Sequence, residues 1–118
     1  MSFHEDGPSF QALVEHHAAR PVGALGVMHS SLDDTEEALP MLLERATMPV
    51  MVYPESGYFR SPDWEFVHVE PDSFAEAGAR WVARGARIVG GCCGLGPEHI
   101  AALARRLRRA DAHAWTAC

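Results

Sequence analysis

The sequence predicts an α/β fold in which parallel strands alternate with helices. Three apolar segments, at residues 22–28, 49–53 and 87–90, are each followed by a polar turn and then by a helix-like pattern. Nearly unbroken apolar segments are typical of parallel strands that are buried on both faces. Repeated strand–helix units favour right-handed crossovers between neighbouring parallel strands.

The first half of the chain contains the first strand between two helices. Apolar residues recur at helical spacing from Pro8 to Arg20, which predicts a helix before the strand at residues 22–28. Ser31 is a good cap for the second helix. Because proline lacks an amide hydrogen, Pro40 is expected to break this helix into two short pieces.

The second strand, Pro49 to Tyr53, is followed by a long segment that contains several aromatic residues. Residues 54–71 combine polar and aromatic side chains, which is unusual for a simple linker. We expect a loop that serves as a lid or as a packed wall.

The last third of the chain repeats the pattern. Asp72 or Ser73 is expected to cap a helix that ends at Gly85. A short strand at residues 87–90 and a glycine-rich turn follow, and Pro97 opens the final helix.

Three parallel strands make a thin sheet with open edges. The pattern therefore resembles a slice of a larger α/β barrel, which typically needs about 250 residues. We assign residues 1–110 to a partial barrel domain and residues 111–118 to a C-terminal tail, in which Cys118 is incidental.

Composition excludes several classes of function. The 10 basic and 16 acidic residues give a net charge of −6, which argues against a nucleic-acid partner. The chain has no lysine, which excludes Schiff-base lysine chemistry. We expect no signal peptide and no membrane span. Three cysteines, two of them adjacent, do not form a disulfide framework, so a reducing, cytoplasmic location is expected.

Residues able to bind a metal follow two of the predicted strands. His29 ends the first strand, whereas Cys92 and Cys93 follow the third. The carboxyl ends of parallel strands lie at one edge of a sheet, so these side chains are expected to converge. Thiolate and imidazole ligands favour zinc, and three protein ligands leave one position open for a substrate.

Two simpler interpretations compete with a metal site. Cys92 and Cys93 could instead be two small apolar residues in a tight turn. They could also form a redox pair. His29 would also suit a strand end as a hydrogen-bonded loop residue, and His99 is expected to be exposed to solvent at the start of the last helix.

Three segments resemble the homocysteine S-methyltransferase family. They are RIVGGCCGLGPEHIAAL at residues 87–103, VYPESG at 52–57 and ALGVMHSS at 24–31. The resemblance covers roughly residues 2–109. It implies an α/β fold that forms the C-terminal part of a (β/α)8 TIM-type barrel, about strands 6–8 with their helices.

The resemblance also implies an activity and a site. Members transfer a methyl group to the thiol of homocysteine, forming methionine, and bind zinc through three cysteines. Cys92 and Cys93 match two of these ligands, while His29 stands where the third cysteine is expected. Glu55 stands where the family has asparagine, and Tyr53 and Glu55 are expected to contact the substrate.

The first half of the family's barrel has no counterpart in this sequence. We therefore expect no activity from the chain alone, no catalytic side chain beyond the metal ligands, and either a separate chain that supplies the missing half or self-association. The methyl donor is not indicated. The alternatives are a non-catalytic remnant or subunit, and a small redox or metal-handling protein that uses Cys92 and Cys93.

Overall fold

The computed structural model describes residues 7–60 and 62–110 and confirms the α/β class. The four helices are α1 (Phe10–Ala18), α2 (Leu32–Arg45), α3 (Pro71–Arg84) and α4 (Pro97–Ala110). The five strands are β1 (Leu25–Met28), β2 (Val50–Tyr53), β3 (Gly57–Arg60), β4 (Asp63–Phe66) and β5 (Ile88–Val89). The predicted tail at residues 111–118, with Cys118, lies outside the described residues.

The main sheet has three parallel strands, as the sequence predicts. Its order is β1-β2-β5, with β2 in the centre. Val52 on β2 is paired in register with Val27 on β1 and with Val89 on β5. All three strands therefore end at the same edge of the sheet, and the residues that follow them are brought together there.

α2 corrects one expectation about Pro40. The helix runs unbroken from Leu32 to Arg45, with Pro40 inside it. Ser31 caps it as predicted, because its hydroxyl oxygen accepts a hydrogen bond from the backbone of Asp34 at 3.1 Å. Pro40 lies on the exposed face of the helix. The buried side chains on the opposite face, Leu39 and Leu42, hold the helix together by packing against the core.

The segment predicted as a loop contains a β-hairpin. β3 and β4 pair antiparallel, with Gly57 opposite Phe66 and Arg60 opposite Asp63. Only two residues separate the strands, which is the commonest hairpin connection. The backbone of Val67 donates to the carbonyl of Ser56 at 2.9 Å and closes the base of the hairpin. The aromatic side chains expected to form a lid lie outside the described part of the structure.

The start of α3 also differs from the sequence prediction. The helix begins at Pro71, so Glu70 is the N-cap, and its side chain makes no capping hydrogen bond. Asp72 and Ser73 lie within the first turn, because proline is already fixed in a helical conformation at the first helical position. Gly85 ends the helix and Pro97 begins α4, both as predicted.

The core lies between the sheet and the helices that cover it. Trp81 and Phe74 of α3 are fully buried, and Leu103 and Leu107 of α4 are almost fully buried. Val52, at the centre of the sheet, is also fully buried. Among the residues that the structure describes, no helix has the length and apolar character needed to cross a membrane.

Candidate metal centre

The residues that follow β2 are held between the residues that follow β1 and β5. The backbone N–H of Glu55 donates to the carbonyl of Ser30, at 2.9 Å, on one side. The backbone N–H of Ser56 donates to the carbonyl of Cys93, also at 2.9 Å, on the other. These hydrogen bonds extend the sheet beyond its strands and fix the relative positions of the three loops.

Three potential metal ligands meet at this edge. One ligand atom each from His29, Glu55 and Cys92 lies within 4.8 Å of the other two. His29 Nδ1 and Glu55 Oε2 are 3.3 Å apart. The expected convergence of His29 with Cys92 is therefore present, and Glu55 joins them. Glu55 was expected to contact the substrate, but its contact with His29 was not predicted, because that contact depends on the path of the loop after β2.

His29 has a backbone conformation that is rare for its residue type. Its φ is 58°, and it is the one residue other than glycine with positive φ in the described part of the chain. Such conformations are unfavourable for residues with a Cβ and concentrate at functional sites. The side chain is 62% exposed, whereas that of Glu55 is 12% exposed. Burial therefore does not force His29 into this conformation.

Cys92 and Cys93 are free thiols at the same edge. Their Sγ atoms are 3.8 Å apart, and both side chains are half-buried. The hydrogen bond that the Cys93 thiol donates to Cys92 raises the pKa of Cys93, and burial and the negative charges of Cys92 and Glu55 raise it further. Cys93 is not a member of the group formed by His29, Glu55 and Cys92, but its Sγ atom contacts that of Cys92.

Glycines shape the turn that presents the two thiols. Gly94 has a φ of 81°, a conformation that side chains rarely adopt, and Leu95 N–H donates to the carbonyl of Cys92 at 3.1 Å. A Cβ at Gly90 would lie 2.2 Å from the ring of Tyr53. Tyr53, predicted to contact a substrate, thus packs its half-buried ring against the backbone of Gly90.

His99 is buried rather than exposed, which corrects the expectation from the sequence. It is 5% exposed. Its Nδ1 accepts a hydrogen bond from the backbone of Gly96 at 3.1 Å, so its Nε2 carries the hydrogen and donates to the carbonyl of Val69 at 2.6 Å. Its ring also meets that of Phe74 edge to face. His99 therefore joins the start of α4 to the segment before α3 and is not a metal ligand.

The donor set fits a zinc ion. It offers two sulfurs, one imidazole and one carboxylate, all of which are common zinc ligands. The hydrogen bond with Cys92 and burial are the main causes of the raised pKa of Cys93, and the charges of Cys92 and Glu55 add to them; a cation among these groups would offset that negative charge. His29, Cys92 and Cys93 were singled out from the sequence as metal ligands, and Glu55 as a substrate contact.

The comparisons with known proteins all indicate the same family. The profile of the homocysteine S-methyltransferase family matches residues 2–107. The homocysteine S-methyltransferase of Escherichia coli is 36% identical over 105 residues, which cover 86% of this chain and 34% of that protein. That of Bacillus subtilis is 33% identical and covers 75% of this chain and 30% of that protein.

Solved structures agree with the sequence matches. The homocysteine methyltransferase MmuM from Escherichia coli, in its metallated form, superposes with a TM-score of 0.63 at 35% identity. The match covers 86% of this chain and 30% of that one. An oxidized form of the same enzyme superposes with a TM-score of 0.66. The chain thus spans about a third of the length of these relatives.

Proposed function

The chain belongs to the homocysteine S-methyltransferase family, and from this premise we propose that it is the metal-binding part of an enzyme that methylates the thiol of homocysteine. It would supply about strands 6–8 of a (β/α)8 barrel, with β1, β2 and β5 in those places. The observation that supports this most is the meeting of His29, Glu55 and Cys92 at the carboxyl edge of the sheet. Active sites of such barrels lie at that edge.

We propose zinc as the metal, with His29, Cys92 and Cys93 as its ligands. The two thiols lie side by side on one turn, and His29 approaches from the neighbouring loop. Zinc bound there would lower the pKa of a coordinated substrate thiol and keep it ionised near neutral pH. Exchange of a thiolate for the neutral imidazole of His29 removes one negative charge, which favours ionisation of the substrate but makes its sulfur less nucleophilic.

Tyr53 and Glu55 are proposed to contact the substrate. Both follow or end the central strand, beside the candidate metal ligands. A carboxylate at position 55 suits the ammonium group of an amino-acid thiol such as homocysteine. In the transfer itself, a sulfur electron pair forms the new S–CH3 bond, and the pair of the broken bond stays with the methyl donor, whose identity the site does not indicate.

Activity is proposed to require further barrel strands, whether from the same chain or from a partner. β1 and β5 are both edges of the described sheet, and Met28 and Ile88 are 46% and 45% exposed there. Such an arrangement leaves apolar surface for other barrel elements or for a second copy of the chain. The free state of Cys92 and Cys93 favours a reducing compartment such as the cytoplasm.

The test combines metal analysis with a methyl-transfer assay. The purified chain is expected to bind one zinc ion, and His29→Ala is expected to reduce this stoichiometry, while His68→Ala, an exposed histidine, leaves it unchanged. Methionine should form only when the remaining barrel strands are supplied together with a methyl donor. Unchanged zinc content in His29→Ala would show that His29 is not a ligand. Zinc binding without methyl transfer by the complete barrel would indicate a non-catalytic relative.

The proximity of the two thiols favours one other function, that of a redox pair. The Sγ atoms of these adjacent cysteines are 3.8 Å apart, which is van der Waals contact, whereas a disulfide bond is about 2.05 Å long. A redox pair would cycle between two thiols and a vicinal disulfide without metal. Titration of free thiols before and after mild oxidation, with and without zinc, separates the two functions, since bound zinc would protect both thiols.

A further inference from the structure

We propose that His99 is a positioning residue, which fixes the turn that carries Cys92 and Cys93 to the base of the β3–β4 hairpin. This inference deepens the proposed function, since it concerns how two of the proposed zinc ligands are held in place. His99 itself is not proposed to bind the metal or the substrate.

The turn at residues 91–96 is tied at both of its ends. Near its start, the carbonyl of Cys93 accepts a hydrogen bond from the backbone N–H of Ser56 at 2.9 Å. At its far end, the backbone N–H of Gly96 donates to Nδ1 of His99 at 3.1 Å. The first tie joins backbone to backbone, whereas the second depends on the side chain of His99.

His99 closes a ring of hydrogen bonds around this part of the molecule. Its Nε2 donates to the carbonyl of Val69 at 2.6 Å. Two residues earlier, the backbone N–H of Val67 donates to the carbonyl of Ser56 at 2.9 Å. Ser56 also binds Cys93, so the ring runs from the turn through the hairpin base to His99 and back to the turn. Both ends of the turn are therefore fixed to the two ends of the segment that contains the hairpin.

The surroundings of His99 keep its ring in one orientation. The residue is 5% exposed, and its ring meets that of Phe74 edge to face, with centroids 6.1 Å apart. Glu98 Oε1 lies 3.6 Å from Nδ1, which is too far for a hydrogen bond, so Nδ1 remains the acceptor for Gly96. Rotation of the ring would leave polar groups unpaired at a buried position, which is costly.

An anchored turn favours metal binding because the turn is rich in glycine. Glycine loses more conformational freedom than any other residue when its backbone is fixed. Gly91, Gly94 and Gly96 all lie in the turn, and Gly94 has a φ of 81°. If the far end were free, this entropy would be lost when the two thiols bind a metal. With His99 in place, it is lost when the protein folds, so the thiols are already in position.

Competition between the protein and a chromophoric chelator for Zn²⁺ tests the proposal. In His99→Asn, the side-chain oxygen can still accept from the Gly96 N–H, but asparagine has no counterpart of the ring nitrogen that reaches Val69. Zinc affinity should fall about 10–100-fold, as is typical for groups that orient metal ligands from behind. Circular dichroism confirms that the variant is folded.

Leu107→Ala is the matched control. It removes buried packing from the same helix, about two turns beyond His99, and it should leave zinc affinity unchanged. A loss of affinity that followed from weaker packing of α4 alone would appear in this variant as well.

Amide hydrogen exchange gives a second readout, which needs no metal. The Cys92 amide, bonded to the carbonyl of Pro54 at 2.9 Å, should exchange about two- to tenfold faster in His99→Asn, the equilibrium value of one hydrogen bond. The rate is taken relative to the amide of Arg87, which is bonded to the first residue of β2 at the opposite edge of the sheet. A role confined to the start of α4 would leave this ratio unchanged.

A third measurement uses the unsubstituted protein and does not depend on folding of the variant. Coupling between two equilibria is reciprocal, so zinc should slow exchange of the Gly96 amide by the factor that the bridge adds to zinc affinity. We expect about 10–100-fold, relative to the Arg87 amide.

These measurements distinguish failure of this inference from failure of the metal centre. Lower zinc affinity and faster Cys92 exchange in His99→Asn, with neither change in Leu107→Ala, support the inference. Unchanged zinc affinity or unchanged Cys92 exchange in folded His99→Asn, or equal losses in Leu107→Ala, overturn it and leave the metal centre intact. If His99→Asn does not fold, the Gly96 amide decides, and an exchange rate that zinc does not slow relative to Arg87 overturns the inference. Absence of zinc binding by the unsubstituted protein overturns the metal centre, while Cys92 exchange still decides whether His99 positions the turn.

Discussion

His29 combines a strained backbone with an exposed side chain, which points to a role other than packing. Asparagine tolerates positive φ and is not a common zinc ligand. We therefore expect His29→Asn to lower zinc affinity at least about tenfold, the lower bound for groups that support a metal site. Its effect on the unfolding free energy of the metal-free protein should be within about 0.5 kcal/mol. Chelator competition and urea denaturation measure the two quantities.

His68→Asn is the control for this variant. His68 is 75% exposed and pairs with Glu70. Its substitution should change neither zinc affinity nor stability. Equal zinc affinity in His29→Asn and His68→Asn would remove His29 from the metal centre.

The contact between Gly90 and Tyr53 gives a second prediction for a single residue. Because an added Cβ would lie 2.2 Å from the aromatic ring, Gly90→Ala must displace Tyr53. Overpacking of this kind typically costs about 1–3 kcal/mol of unfolding free energy. Gly23→Ala is a suitable comparison, since nothing lies within 4 Å of its added Cβ. Equal stability of the two variants in urea denaturation would show that Tyr53 does not pack on Gly90.

At the level of elements, His99 joins α4 to the segment before α3. His99→Leu would leave the Gly96 N–H and the Val69 carbonyl without partners at a buried position. Unmet hydrogen bonds of this kind cost about 1–3 kcal/mol each, so a loss of about 2–6 kcal/mol of unfolding free energy is expected for the two groups. His17→Leu, on the exposed face of α1, should change stability little. Thermal and urea denaturation compare the two, and a loss below about 0.5 kcal/mol in His99→Leu would contradict the buried role.

Strand and helix order followed from the hydrophobic pattern, whereas several details of the elements did not. The apolar segments and helix-spaced residues predicted the parallel sheet and the helices around it. The prediction that Pro40 breaks α2 was wrong, because a proline on the exposed face of a helix is tolerated when the opposite face packs against the core. The hairpin of β3 and β4 was missed because each of its strands has only four residues.

The candidate site could be predicted in part from the order of the strands. Residues at the ends of parallel strands meet at one edge, so the sequence located His29, Cys92 and Cys93 together. It did not place Glu55 against His29, because that contact depends on the path of the loop after β2. The prediction that His99 is exposed was wrong, because its burial depends on the packing of α4 against the residues before α3.

For the whole molecule, the open sheet is expected to drive association. Ile88, on the edge strand β5, is 45% exposed. Sedimentation of the isolated chain should therefore give a mass above the 12.9 kDa of a monomer, increasing with concentration. Ile88→Thr should weaken this association, whereas Ile100→Thr, an equally exposed position on α4, should not. A monomer at all concentrations would show that the edges do not require a partner.

X-ray absorption spectroscopy of the zinc-loaded chain tests the metal centre most directly. We expect two sulfur donors, from Cys92 and Cys93, together with two nitrogen or oxygen donors at tetrahedral distances. His29→Cys should raise the sulfur count to three at the expense of a nitrogen or oxygen donor. Zinc without sulfur ligands, or an unchanged sulfur count in His29→Cys, would contradict the placement of His29 and the two cysteines around one ion.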